Sequence, residues 1–212
     1  VEPPAGQGEL SGVRLRRTPR QARSVEKVAR VLAAAERLLA EEGVDVLTTT
    51  RVAAEAGVSV GALYQYLPDR DAIVEALAGL YLGRLETAME TLVQRAGEET
   101  WADPVTVLVD AFAGLYRSQP GFRALWFGRH LTEGTREADR RHKSAMAEGL
   151  HRVLVAQYLL PATEEAATAC RTAFLAADAV TQEAFRVDPE GDAALLGQLK
   201  VLLRGYLGLL GK

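Results

Sequence analysis

The sequence predicts an all-α chain, and three observations carry that expectation. Apolar residues recur at the 3.6-residue helical period in segment after segment. The segments are punctuated by Ser, Thr or Asp in front and by Gly or Pro behind, which are helix start and stop signals. No segment shows the period-two alternation of a half-buried strand. With 212 residues, 48% of them hydrophobic, the chain is long enough to bury a core without a disulfide framework.

Residues 1–22 hold Pro3, Pro4, Gly6, Gly8, Gly12 and Pro19 with little periodicity and read as a flexible basic arm. Val28, Val31, Leu32, Ala35, Leu38 and Leu39 mark a first helix from about Ser24, and Gly43 closes it in the left-handed cap position. Thr48 can cap a short helix to Ala56, Gly57 supplies a tight turn, and Ser59 can cap a second short helix through Tyr66, which Pro68 stops. Asp69 can cap a long amphipathic helix with Ile73, Leu77, Leu85 and Leu92, reaching about residue 96 and spanning roughly 40 Å. Asp103-Pro104 opens a further helix, and Pro120-Gly121 breaks it. A short aromatic helix with Phe122, Leu125 and Trp126 follows. A polar link then leads to a helix with Met146, Leu150, Val153 and Leu154 that ends before Pro161. Two strongly apolar helices remain, Thr163 to about Val187 and Gly191 to about Leu210. This makes about nine helices in three parts: an arm over 1–22, a three-helix helix-turn-helix domain over 23–68, and a larger helical domain over 69–212.

The overall charge of −3 argues against a nucleic-acid partner, but the average conceals an asymmetry. Between residues 14 and 30, Arg14, Arg16, Arg17, Arg20, Arg23, Lys27 and Arg30 face the single acid Glu26, a local charge of +6 that leaves −9 on the remainder. One end is built to meet a polyanion. Cys170, the sole cysteine, sits in an alanine-rich helical pattern and reads as a buried small apolar residue. No run approaches a membrane span and no signal-peptide pattern opens the sequence, so a reducing cytoplasm is the expected compartment.

Two short helices around a glycine turn, the second begun by a Ser cap, form the pattern that places a reading helix in the DNA major groove. Val52, Ala53, Ala56, Val58 and Leu63 are the apolar contacts expected to hold the pair at a fixed angle. The stretch from Gly43 to Arg70, GVDVLTTTRVAAEAGVSVGALYQYLPDR, resembles the DNA-binding domain of the TetR family of transcriptional regulators. The resemblance is strong over about residues 24–75 and extends beyond them only in helix number, length and order. It implies phosphate contacts by Tyr64 and Tyr66 and a backbone grip by Arg70, contacts that set register without reading sequence. Thr48 can offer an amide end to a phosphate, and Gly61 permits close backbone approach. Where the family often has Lys-Gly-Thr, this chain has Val60-Gly61-Ala62, losing an ammonium and a hydroxyl. Base reading then rests on Val60 and Ala62 against thymine methyls, Gln65 toward adenine, and Thr50 with Arg51 at the groove or its rim.

In the last helix, Leu195, Leu199, Leu202, Tyr206 and Leu209 trace one apolar seam, and Leu196, Leu203, Leu207 and Leu210 a second, where one would serve a monomer core. The resemblance implies that the last two helices form a homodimer interface, so that the expected partners are double-stranded operator DNA, a second copy and a small-molecule effector. Tyr81, Met89, Phe112, Tyr116 and Phe122 are candidate ligand contacts. Trp126, Met146, Leu150, Phe174 and the acid Asp178 complete that set, although core packing uses the same residue types. No cofactor, metal or membrane partner is expected.

A helical enzyme is the first alternative. His130, His142 and His151 form no metal-ligand pair at i, i+4, and neither a GxSxG motif nor a phosphate-binding glycine loop is present. A helical protein-interaction module that uses its basic arm on an acidic partner is the other.

Overall fold

The computed structural model of the chain describes residues 13–17, 21–127 and 131–210. Among the described residues there are nine α-helices, one 3₁₀ turn and no strand: α1 Ala22–Glu42, α2 Thr49–Glu55, α3 Val60–Tyr64, α4 Arg70–Glu98, α5 Pro104–Ser118, α6 Pro120–Trp126, α7 Glu133–Ala156, α8 Glu164–Val187 and α9 Ala193–Gly208. The remainder of the expected arm, with Arg20, lies outside the described residues, and so does His130.

Helix starts follow side-chain caps. The hydroxyls of Thr48, Ser59, Thr132 and Thr163 accept the backbone N–H three residues on, as do the carboxylates of Asp69, Asp103 and Asp192. Three boundaries differ from expectation. Gly43 does end α1, but at φ 86 and ψ −178 it occupies an extended region that only glycine enters readily rather than the left-handed cap, and the 3₁₀ turn Val44–Val46 follows directly. α3 stops at Tyr64 rather than Tyr66. The polar stretch read as a link belongs to α7, because Thr132 caps it and its residues are helix formers.

The chain divides into two compact units, Val1–Arg84 with Pro120–Asp139, and Leu85–Gln119 with Arg140–Lys212. The first unit is larger than the expected 23–68 domain because it takes in the start of α4 and all of α6. α6 lies against α1 at Gly121, whose missing side chain leaves room for the Tyr81 ring and the Glu36 carbonyl. Arg84 clamps the same place through two hydrogen bonds to the Glu36 carboxylate. Beside Tyr81 and Phe122, the core of this unit is aliphatic: Val28, Leu39, Leu47, Val52, Leu63, Leu67 and Ile73 are at most 1% exposed. Each such burial contributes about 1.5–3 kcal/mol.

In the second unit α8 packs along α9, the two joined by a turn at Gly191, where φ is 87. α5 is tied to α9 by Asp110 with Lys200 and Asp103 with Arg204, each at 2.6 Å. Gln157 closes the loop after α4, donating to the carbonyls of Ala96 and Glu99 and accepting from the Trp101 amide.

Candidate nucleic-acid interface and apolar cavity

The helix-turn-helix is held from beneath and presents its polar residues outward. Val52 and Ala53 are fully buried and Leu63 nearly so, whereas Val58 is only half-buried. Gly57, at φ 64, turns the chain between α2 and α3, and the Val58 amide bonds back to the Ala53 carbonyl at 3.0 Å. The Ser59 hydroxyl then accepts the Ala62 amide at 3.2 Å and so begins a helix too short to persist alone.

On the outer side Thr50, Arg51, Gly61, Tyr64 and Gln65 are exposed, while Val60, Ala62 and Tyr66 are half-buried. A side chain at Gly61 would meet nothing within 4 Å, so the space beside that backbone is open. The Tyr64 hydroxyl lies 3.3 Å from Thr49 Oγ1, which aims the phenol. Thr48 is exposed, but its hydroxyl is taken by the Arg51 amide. Two expected contacts are engaged within the protein. Arg51 pairs with Glu42. The Arg70 guanidinium donates to the Val44 carbonyl at 3.0 Å and to Asp45 at 3.3 Å, stapling the start of α4 to the turn after α1. Periodicity does not reveal Glu42, Asp45 or Thr49 as holders of these side chains. The described part of the arm runs beside the same surface: the Arg16 amide donates to the Tyr66 carbonyl at 3.0 Å, and Arg14 lies 3.8 Å from Glu75.

The ten candidate ligand contacts separate into two groups. Tyr81, Phe122 and Trp126 stack in the first unit, with centroids 5.7 Å apart for Tyr81 and Phe122 and 4.5 Å for Phe122 and Trp126. They belong to the packing of α6 on α1 and α4 and are not among the lining residues of the cavity that takes the others, because helical periodicity marks a residue as inward without saying which neighbour it meets. Burial and the charge of Glu36 push the Tyr81 phenol well above its usual range, so it stays protonated.

The second unit holds a half-open cavity of about 90 Å³, lined in part by Met89, Phe112, Tyr116, Met146, Leu150, Phe174 and Asp178. α9 closes it with Leu199, Leu203 and Leu207. The polar residues among its walls are concentrated on α7 and α8. His142 is 6% exposed, and its Nδ1 lies 2.9 Å from Glu86 Oε1. Asp178 is paired with Lys143 at 3.2 Å and accepts from Gln182 at 2.9 Å. Neither His142 nor Lys143 was distinguishable in the sequence, since both lie in the polar stretch that resembles a link. Cys170 is buried nearby on α8, and desolvation pushes its thiol up to about 11, so it is a packing residue rather than a reactive thiolate.

α8 and α9 carry a second apolar surface. Leu196, Leu199, Leu203 and Leu207 point into the unit, whereas Leu175, Val201, Leu202 and Leu209 are exposed. Among the described residues no group of three or more His, Cys, Asp or Glu is arranged to hold a metal, and no helix is long and apolar enough to cross a membrane.

Residues 31–77 match bacterial regulatory proteins of the tetR family, and residues 99–210 match the tetracyclin repressor-like C-terminal domain. The crystal structure of a TetR-family transcriptional regulator from Streptomyces coelicolor is similar at 29% identity with a TM-score of 0.67, covering 88% of this chain and 98% of that one. The transcriptional regulator FadR from Bacillus subtilis, solved with stearoyl-CoA, shares the fold at 17% identity and a TM-score of 0.61, covering 87% and 98%. The nucleoid occlusion factor SlmA of Pasteurella multocida is 32% identical over 96 residues, 44% of this chain. That match spans 46%, about half, of the curated relative's length.

Proposed function

Since the chain belongs to the TetR family of transcriptional regulators, we propose that it is a repressor that binds a palindromic operator as a homodimer and releases it when a small, largely apolar molecule fills the cavity of the second unit. The observation that carries this reading is the capped α3, set on a buried aliphatic base with Tyr64 and Gln65 outward and open space beside Gly61. Tyr64, Tyr66 and the amide end at Thr48 set the register on phosphates. Val60, Ala62 and Gln65 read bases, with Thr50 and Arg51 at the rim. Arg70 acts chiefly by fixing the angle of α4 through Val44 and Asp45.

The exposed face of α8 and α9 supports the dimer. Leu175, Val201, Leu202 and Leu209 would otherwise remain in water, and a two-fold contact between copies covers them and sets two reading helices one helical turn apart. α4 is one uninterrupted helix from Arg70 to Glu98, carrying Met89 on the cavity wall. A ligand that displaces its second half shifts the reading heads and lowers operator affinity by a coupling energy of about 1–3 kcal/mol. Catalysis has no part in this reading, and the cytoplasm is the compartment where such a protein meets DNA.

Selection of bound sequences from a random duplex pool tests it. A single palindrome should emerge whose binding weakens steeply with salt. Recovery of no preferred sequence would reject operator binding and leave the interaction-module reading in place.

A further inference from the structure

Resting on the ligand-sensing reading above, we propose that the cavity accepts a compact uncharged molecule with one hydroxyl, a phenol or short branched alcohol, whose hydroxyl sits between His142 and Thr181. These two polar side chains are more than nine-tenths buried, at 6% and 8% exposure, on the cavity wall. A carboxylate only accepts hydrogen bonds, so the 2.9 Å contact with Glu86 puts the ring proton on His142 Nδ1. Nε2, the second ring nitrogen, is taken as the acceptor. Among the described residues neither Nε2 nor the Thr181 hydroxyl has a hydrogen-bond partner. A ligand hydroxyl satisfies both at once, donating to Nε2 and accepting from Thr181.

Charge selects against the alternatives. Asp178 is already matched by Lys143 and Gln182, so it does not call for a cation. A ligand carboxylate would be a third acid beside Glu86 and Asp178 with Lys143 as the neighbouring base. A pure hydrocarbon would leave both buried polar groups unmet. Size sets the rest: a cavity of about 90 Å³ is smaller than the roughly 150 Å³ void that takes one benzene. One ring or a short branched chain fits once the pliant thioethers of Met89 and Met146 yield.

Calorimetry on the full chain with 4-ethylphenol, ethylbenzene, 4-ethylbenzoate and 4-ethylbenzylamine decides the matter. The phenol should bind about tenfold tighter than ethylbenzene, and the two charged analogues more weakly than either. Thr181→Val and His142→Phe should each remove the phenol's advantage by weakening phenol binding, with ethylbenzene bound as well as before or better. Thr181→Ser, which keeps the hydroxyl, should retain the advantage. Long-range proton–nitrogen spectra should show the His142 ring protonated on Nδ1 and bare at Nε2. Tighter binding of the benzoate or benzylamine, equal binding of phenol and ethylbenzene, or a phenol advantage that survives Thr181→Val would overturn the proposal while the cavity remains a ligand site. Failure of all four probes to bind would overturn the ligand-sensing reading along with it.

Discussion

Gly121 of α6 is the tightest test of how the first unit is packed. A methyl group there would collide with the Tyr81 hydroxyl, and its carbon would stand 3.2 Å from the ring carbon bearing that hydroxyl and 3.5 Å from the Glu36 carbonyl. The ring has little room to retreat, since Tyr81 is fully buried and lies edge-on to Phe122. Overpacking of this kind costs about 1–3 kcal/mol. Gly121→Ala should therefore lower Tm by about 2–4 °C per kcal/mol for a chain of this size, or roughly 6 °C at the middle of that range. The Tyr81 hydroxyl has no hydrogen-bond partner among the described residues, so Tyr81→Phe removes a desolvated polar atom and should be neutral or stabilising by up to about 1 kcal/mol. The double variant lacks the colliding atom and should recover about half or more of the loss. Urea unfolding of the four proteins, followed by tryptophan fluorescence and by far-ultraviolet dichroism, gives the coupling energy directly. Additive effects, or a Tyr81→Phe variant destabilised by more than about 1 kcal/mol, would refute this account of the contact.

Three further outcomes follow from individual side chains. Ser59→Ala deletes the cap of α3 and should cost about 1 kcal/mol, with operator affinity, read by fluorescence anisotropy, falling more than global stability. Leu202→Arg places a charge on a side chain already 48% exposed in the protomer, so the variant should fold normally yet sediment as a monomer. Asp103 is held well below the usual carboxylate range, first by Arg204 and then by Thr106. Its contribution is thus complete above its unfolded value of about 3.9 and is lost as pH falls below that. Asp103→Ala should flatten the acid limb of stability measured between about pH 4 and pH 2, with little change in its slope above pH 5.

What the sequence made legible was local. Caps such as Thr48, Ser59 and Asp103 act on an amide three residues away. The inward face of α9 was legible only in part: Leu196, Leu203 and Leu207 are buried together, but Leu199, read on the other seam, joins them, and Leu210, read with them, is exposed. Tertiary choices were less legible. Tyr81, Phe122 and Met89 look alike in a periodic pattern, yet the first two pack against α1 and the third against the cavity. His142 and Lys143 sit in a charged run whose buried side is decided by Glu86 and Asp178, residues 56 and 35 positions away. The engagement of Arg70 by Val44 and Asp45 has the same cause, since a guanidinium free to reach DNA and one folded back on a carbonyl have identical sequence signatures.

The capped helix starts carry a consequence for how such a chain can change. At α2, α3, α4, α5, α7, α8 and α9 the point of initiation is dictated by a surface Ser, Thr or Asp outside the cavity walls. Side chains facing the cavity can therefore be exchanged without moving where any of these helices begins. Helix punctuation and cavity chemistry rest on different residues, so a change of chemical taste in the second unit need not shift the phase of these helices.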